Sequence, residues 1–163
     1  SATSVSKALG RELAVAAGLG IAQVTCAAGT VSAVFVNNAV GDIYDDQTGM
    51  LITTPGGLGR STEEIVLSQD GRTSQGENTV IGAIWVDRPL DHDALVRMTV
   101  AGHAGIARVI RPAHTPSDGD TVFAAAPDVG ETSGNDLMQL TTAAQIATAR
   151  ALVRSVSAAG EPV

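Results

Sequence analysis

The stretch Asn78-Thr79-Val80-Ile81-Gly82-Ala83-Ile84-Trp85-Val86 decides how this chain folds. Its apolar run, Val80 to Val86, is typical of a strand buried in a core. Gly, Pro and Ser interrupt the preceding residues, Thr53 to Glu77, and this composition predicts a long exposed loop. The Asn78–Thr79 bond therefore joins a flexible linker, residues 53–78, to a core strand.

The remaining pattern predicts an α/β domain that includes all of residues 1–163. Gly18 and Gly20 end a short helix or loop that begins at Ser6. Asp91 is placed to cap a helix that runs to about Arg111, since Pro112 follows. The other predicted elements are strands at Ile21–Cys26, Val31–Val36 and Asp42–Tyr44, a hairpin turn at Asp45–Gly49, a strand at Thr121–Ala126 and a helix at Asp136–Ala159.

Composition excludes several classes of function. The net charge is −7 and Lys7 is the single lysine, so the clustered cations that bind nucleic acid are missing. One cysteine permits neither an intrachain disulfide nor a Cys-rich metal site. No uninterrupted apolar run reaches the ~18 residues of a membrane span, and no signal peptide is recognisable. We expect a soluble cytoplasmic protein that uses no cofactor or metal.

Thr79 is the first candidate for chemistry. A threonine hydroxyl is a weak nucleophile, but an N-terminal threonine can use its own α-amine as the base. The unperturbed pKa of that amine, ~7.7–8.0, suits work at neutral pH. Thr79 would reach this state by attacking the carbonyl of Asn78 and letting water complete the cleavage. The alternative is an ordinary threonine at the start of a strand.

Four further residues could assist this chemistry. Asp118 and Asp120 flank Gly119 just before a predicted strand, where they could orient a hydroxyl and an ammonium group, or simply form a polar turn. Lys7 could stabilise an oxyanion, or be a solvated surface charge. Asn38 could donate a hydrogen bond to an oxyanion, or serve a turn. The three histidines are not expected to assemble a site.

Together these residues resemble the DmpA-like aminopeptidase family, which includes β-aminopeptidases, a nylon-oligomer hydrolase and a pantetheine hydrolase. The resemblance extends over nearly the whole chain, and its most specific segment is His-Thr-x-x-Asp-Gly-Asp-Thr. The segments that carry it are Gly76-Glu77-Asn78-Thr79-Val80-Ile81, Ile110-Arg111-Pro112-Ala113-His114-Thr115 and Asp118-Gly119-Asp120-Thr121-Val122-Phe123-Ala124.

The resemblance implies a four-layer αββα fold, self-cleavage at Asn78–Thr79 and amide hydrolysis by Thr79. It further implies that Asp118 and Asp120 position the nucleophile, that Asn38 belongs to the oxyanion hole and that Lys7 is the active-site lysine. The implied substrate is a small amide or short peptide. Val80 departs from the pattern, because many relatives have a second hydroxyl residue there.

Family members also carry a substantial N-terminal region before the part that this sequence matches. We therefore expect a partner chain or a missing N-terminal segment to supply it, and we expect a homo-oligomer. Two other functions stay open. One is a non-catalytic scaffold or binding subunit, which would remain uncleaved. The other is an acyltransferase of the ornithine acetyltransferase type, which an acyl-acceptor assay would reveal.

Overall fold

The computed structural model describes residues 3–68 and 78–157. Eight strands and three α-helices make up this part of the chain. In chain order they are β1 (Ser4–Val5), β2 (Val15–Ala16), β3 (Leu19–Cys26), β4 (Gly29–Asn38), β5 (Asp42–Ile43), α1 (Thr62–Leu67), β6 (Thr79–Val86), α2 (His92–Val109), β7 (Ile110–Arg111), β8 (Thr121–Ala125) and α3 (Gly134–Ser157), with 3-10 turns at Arg11–Leu13 and Pro55–Gly57.

The central sheet has the strand order β3-β4-β6-β8. Strand β4 pairs antiparallel with both β3 and β6, whereas β8 runs parallel to β6. The apolar run after Thr79 forms β6, as predicted, and its side chains alternate between the two faces of the sheet. Val80, Ile84 and Val86 are fully buried on one face.

Two long helices cover that face. Asp91 caps α2 as predicted, because its carboxylate accepts a hydrogen bond of 2.7 Å from the backbone N–H of Ala94. Helix α3 contacts α2, β3 and β4. It approaches β3 so closely that a Cβ atom at Gly20 would lie 1.7 Å from the carbonyl oxygen of Ala151. Small residues thus let the helix and sheet backbones approach each other closely.

The opposite face of the sheet is apolar and exposed. Seven large hydrophobic side chains stand on it at alternate strand positions, with exposed fractions from 38% to 61%. They are Leu19, Ile21, Val34, Val36, Ile81, Trp85 and Phe123. This outer face, defined by those seven residues, is larger than the scattered apolar residues of an ordinary surface. The chain therefore forms one helical layer and one sheet of a mixed α/β fold, half of an αββα arrangement.

The region from Thr53 to Glu77 differs from the predicted loop. A capping box of Ser61 and Glu64 begins helix α1, and Thr62 and Ile65 of this helix are buried. The sequence predicted no helix here because Gly and Ser interrupt its periodicity. Residues 69–77 of the predicted linker lie outside the described residues, as do residues 158–159 at the end of the predicted last helix.

Asp42 explains why α1 begins where it does. Its side chain is fully buried and accepts hydrogen bonds from the backbone N–H and the hydroxyl of Thr62. Burial raises the pKa of this carboxyl, and the Thr62 bonds oppose that rise. Nearby, the Ser6 hydroxyl bonds to that of Thr53 at 2.8 Å. The Ser6–Thr53 hydrogen bond thus holds the residues before α1 against the segment that carries Lys7.

That first segment was predicted to be either a short helix or a loop. Between Ser6 and Gly18 the chain forms a 3-10 turn and the short strand β2, which pairs with β1, rather than an α-helix. The backbone N–H groups of Ser6 and Lys7 bond to the carbonyls of Gly41 and Val40. This segment is held against the end of β4, where the candidate site lies.

Candidate active site

The Asn78–Thr79 bond lies where three segments of the sheet meet. Thr79 is the first residue of β6, and its register partner is Asn38, the last residue of β4. Asn78 is buried and forms a parallel bridge with Asp118, in the segment that precedes β8. The sheet therefore places Thr79 beside Asn38 on one side and beside the Asp118–Asp120 segment on the other.

The hydroxyl of Thr79 already contacts the peptide group before it. Its Oγ1 donates a hydrogen bond of 2.6 Å to the carbonyl oxygen of Asn78, and the backbone N–H of Gly119 donates one of 2.8 Å to the same oxygen. Thr79 is half-buried. The carbonyl oxygen of Asn78 therefore accepts two hydrogen bonds, one from the Thr79 hydroxyl and one from a backbone N–H.

The two aspartates hold the segments around this bond. Asp118 Oδ2 accepts bonds from the N–H (2.9 Å) and the hydroxyl (2.8 Å) of Thr115, which close the loop on itself. Its other oxygen, Oδ1, is buried and has no hydrogen-bond partner among the described residues. Asp120 Oδ1 accepts a bond of 2.8 Å from the N–H of Val80. Asp120 thus contacts the strand immediately after Thr79.

Burial raises the pKa of Asp120, and the negative charge of Asp118 raises it further. The N–H of Val80 and the neighbouring His114 oppose this rise, because each stabilises the charged carboxylate. Desolvation is the largest of these influences, so the carboxyl holds its proton more tightly than an exposed aspartate does. A buried carboxyl with a raised pKa and a specific charge partner is typical of functional sites.

Lys7 and Asn38 form the side of the candidate site opposite the two aspartates. The Lys7 ammonium donates to the carbonyl oxygen of Asn38 at 2.7 Å and to its Oδ1 at 2.9 Å. Only 4% of Lys7 is exposed, which rules out a solvated surface charge. The N–H of Ser4 also donates to Asn38 Oδ1 at 3.2 Å. These contacts hold the Asn38 amide oxygen between the Lys7 ammonium and the Ser4 N–H.

His114 is the residue that sequence reasoning missed. Its Nδ1 lies 2.8 Å from Asp120 Oδ2, and its Nε2 lies 3.3 Å from the backbone carbonyl oxygen of His103. His114 has a left-handed backbone with φ of 54°, which directs the chain back toward α2. The three histidines were not expected to assemble a site, and the structure brings one of them, His114, into contact with Asp120. The available signal in the sequence was the short spacing between His114 and Asp120.

Replacing His114 by alanine should change the pH dependence of any activity that needs Asp120 in its charged form. On the acidic side of the pH profile, this activity should be lost at a higher pH than in the wild type. His114 lowers the pKa of Asp120, so its removal raises that pKa. As pH falls, the carboxylate is then neutralised earlier. The profile of kcat/KM against pH tests this, with His92→Ala as the control, because His92 is exposed at the start of α2. An unchanged acidic side of the profile in His114→Ala would contradict it.

Within residues 3–68 and 78–157, no group of His, Cys, Asp and Glu side chains is arranged so that it could hold a metal ion. In the same two ranges, no helix has the length and apolar character needed to cross a membrane.

Comparison with solved structures identifies the fold. The chain is similar to a β-aminopeptidase from Burkholderia, with a TM-score of 0.56 and 19% identity over 93% of this chain and 46% of that one. It is also similar to the L-aminopeptidase D-Ala-esterase/amidase of Ochrobactrum anthropi, described as a variant of the Ntn hydrolase fold. There the TM-score is 0.60, with 21% identity over 90% of this chain and 42% of that one. The predicted fold class is confirmed.

Sequence comparison identifies the family. An uncharacterised aminopeptidase of Mycobacterium tuberculosis is 37% identical over 89% of this chain and 48% of its own length. An uncharacterised aminopeptidase of Mycobacterium leprae is 42% identical over 67% of this chain and 32% of its own. The chain thus spans about half the length, or less, of these curated relatives. Residues 8–162 match the model of peptidase family S58, and the chain belongs to that family.

Proposed function

We propose that the protein is a self-processing amide hydrolase, similar to an aminopeptidase, in which Thr79 becomes the N-terminal nucleophile. The observation that carries this proposal is the 2.6 Å contact between the Thr79 hydroxyl and the carbonyl of Asn78. In self-cleavage, Thr79 Oγ1 bonds to the carbonyl carbon and the C–N bond breaks, so that the amine takes the hydroxyl proton. Water then hydrolyses the ester, which restores the hydroxyl and leaves a carboxylate on Asn78.

Amide hydrolysis uses the terminus that self-cleavage creates. The α-amine of Thr79 accepts the hydroxyl proton, Oγ1 attacks the substrate carbonyl, and the leaving amine departs with that proton. Water then releases the acyl group. Asp118 and Asp120 hold and orient the new ammonium terminus. The Asn38 amide and the Lys7 ammonium stabilise the substrate oxyanion, since donors in a site with little water have the strongest effect.

The names of the relatives, several of which are aminopeptidases, support a proposal for the substrate class. We propose small amides and short peptides with a free N-terminal amine. The test is hydrolysis of α- and β-aminoacyl p-nitroanilides by the full-length gene product, with N-acetylated versions as controls. Hydrolysis of the free-amine compounds supports the proposal. Acyl transfer to an added amine without hydrolysis would favour an acyltransferase, and inactivity on all substrates by the cleaved protein would favour a scaffold subunit.

We also propose that further polypeptide covers the outer face. Each curated relative carries about as much chain outside the matched region as within it, or more. Thr79 and Ile81 lie at alternate positions of β6, so the nucleophile belongs to the same side of the sheet as the outer face. The covering polypeptide would close the substrate pocket. A homo-oligomer and a cytoplasmic location stay predictions.

The fluorescence of Trp85 can test whether further polypeptide covers the outer face. This residue is 46% exposed on the outer face, so in the assembled protein we expect its fluorescence to be shielded from acrylamide. Other tryptophans would first be replaced by phenylalanine. A matched probe is Val129→Trp in the Trp85→Phe background, because Val129 is 80% exposed away from the strands. Quenching of Trp85 as strong as that of the probe would contradict the covering.

A further inference from the structure

The carbonyl oxygen of Asn78 has a backbone donor that belongs to neither Lys7 nor Asn38. The N–H of Gly119 donates to it at 2.8 Å, while the Thr79 hydroxyl occupies the other hydrogen-bonding position at 2.6 Å. The donor is therefore already in contact with the atom that becomes negatively charged when Thr79 attacks. In an ordinary sheet such a bond would only pair two strands.

The Gly119 donor is held rigidly from both sides. On one side, the N–H of Asp118 bonds to the carbonyl of Thr115 at 2.9 Å, and Asp118 Oδ2 bonds back to Thr115. On the other, Asp120 Oδ1 accepts the N–H of Val80. The two aspartates thus fix the peptide group between them. A donor positioned before the reaction stabilises an oxyanion without the cost of reorganisation.

The residue between the aspartates has little room for a side chain. A Cβ atom at position 119 would lie 3.1 Å from Thr79 Oγ1, closer than ordinary van der Waals contact. The backbone of this segment therefore approaches the nucleophile itself. Glycine permits the N–H to reach the Asn78 carbonyl while the hydroxyl keeps its place beside it.

We infer that the backbone N–H of Gly119 is the oxyanion donor for self-cleavage at Asn78–Thr79. This inference rests on the proposed function and assigns self-cleavage a donor separate from the Asn38 and Lys7 groups of substrate turnover. When Oγ1 bonds to the carbonyl carbon, the electron pair of the C=O bond moves onto the oxygen, and the Gly119 N–H stabilises that charge. The charge returns to the carbonyl when the C–N bond breaks.

The test removes that N–H alone. Glycolic acid incorporated at position 119 of the full-length gene product replaces the Asp118–Gly119 amide by an ester. The rate constant of self-cleavage, followed by mass spectrometry, should fall by about 10²- to 10³-fold, the loss typical of one oxyanion donor. The matched control is the same ester at Gly49, whose N–H also donates to a backbone carbonyl, that of Asp45, in an exposed hairpin turn.

A second variant separates loss of the donor from disturbance of the loop. An ester at Ser117, whose N–H bonds to the Thr115 hydroxyl at 3.3 Å in the same loop, keeps the Gly119 N–H, so it should cleave at least ~10-fold faster than the Gly119 ester. Equal slowing of both variants would overturn the inference, as would an ester variant that cleaves within about threefold of the wild-type rate. If the wild-type protein and the Gly49 ester both stay uncleaved, the proposed self-cleavage fails, and the Gly119 role fails with it.

Discussion

Replacing Thr79 by valine is expected to abolish self-cleavage and amide hydrolysis together. Valine keeps the branched shape and the strand preference of threonine but lacks the hydroxyl, so β6 still forms while the nucleophile is lost. The expected fall in kcat is on the order of 10⁶-fold, the loss seen when a hydrolase loses its nucleophile. Thr79→Ser keeps the hydroxyl and should still cleave.

The control for this substitution is Thr25→Val. Thr25 is an exposed threonine of β3, and its hydroxyl bonds only to that of Thr30 among the described residues. This variant should cleave and hydrolyse as the wild type does. Measurable self-cleavage in Thr79→Val, at any site between Asn78 and Val80, would remove the threonine hydroxyl from the mechanism.

Replacing Lys7 by methionine should lower kcat for amide substrates by about 10²- to 10³-fold in the cleaved protein. Methionine has a similar length but no charge, so Asn38 loses the ammonium that holds its carbonyl and Oδ1. Asn38 Oδ1 keeps the bond from the Ser4 N–H, but the Asn38 carbonyl loses the ammonium, which should also cost about 1–3 kcal/mol of unfolding free energy if that oxygen stays buried without a partner. Activity assays and thermal unfolding measure the two effects.

The control for Lys7 is Arg88→Met. Arg88 also donates to a backbone carbonyl, that of Ala28, at 2.6 Å, but it lies at the end of β6 remote from Thr79. Removing this cation should leave kcat within about threefold of the wild-type value. An equal loss of kcat in both variants would show that Lys7 acts through stability and has no part in turnover.

Local signals in the sequence predicted the elements that frame the site. The apolar run after Thr79 was enough to predict a strand, because a short apolar run that follows turn residues is typical of one, but it did not reveal that Ile81 and Trp85 would be exposed on the outer face. Asp91 followed by helical spacing predicted α2 and its cap. In both cases the information lies within a few residues of the element, so no knowledge of the tertiary structure was needed.

Register and long-range contacts were beyond that reasoning. Composition does not determine that Asn38 is the register partner of Thr79, because β4 has apolar residues on both of its faces and its pattern therefore specifies the register only weakly. Helix α1 depends on Asp42, a distant buried carboxylate that bonds to Thr62. The His114–Asp120 contact depends on a backbone turn that residue types alone do not specify.

The resemblance to a known family supplied what local signals did not. It grouped Lys7, Asn38, Thr79, Asp118 and Asp120 before any geometry was available, and the structure places them around one peptide bond. Neither the local sequence signals nor the family resemblance identified the Gly119 N–H as a donor. A backbone donor has no signature in residue types, and only its position opposite the Asn78 carbonyl reveals it.

The most direct test of the central claim is the intact mass of the purified full-length protein. The account predicts two polypeptides, one ending at Asn78 and one beginning at Thr79, that stay associated under native conditions. The Thr79→Val variant should give a single mass. A single uncleaved mass for the wild-type protein, after incubation under conditions where it is folded, would contradict the self-activated nucleophile.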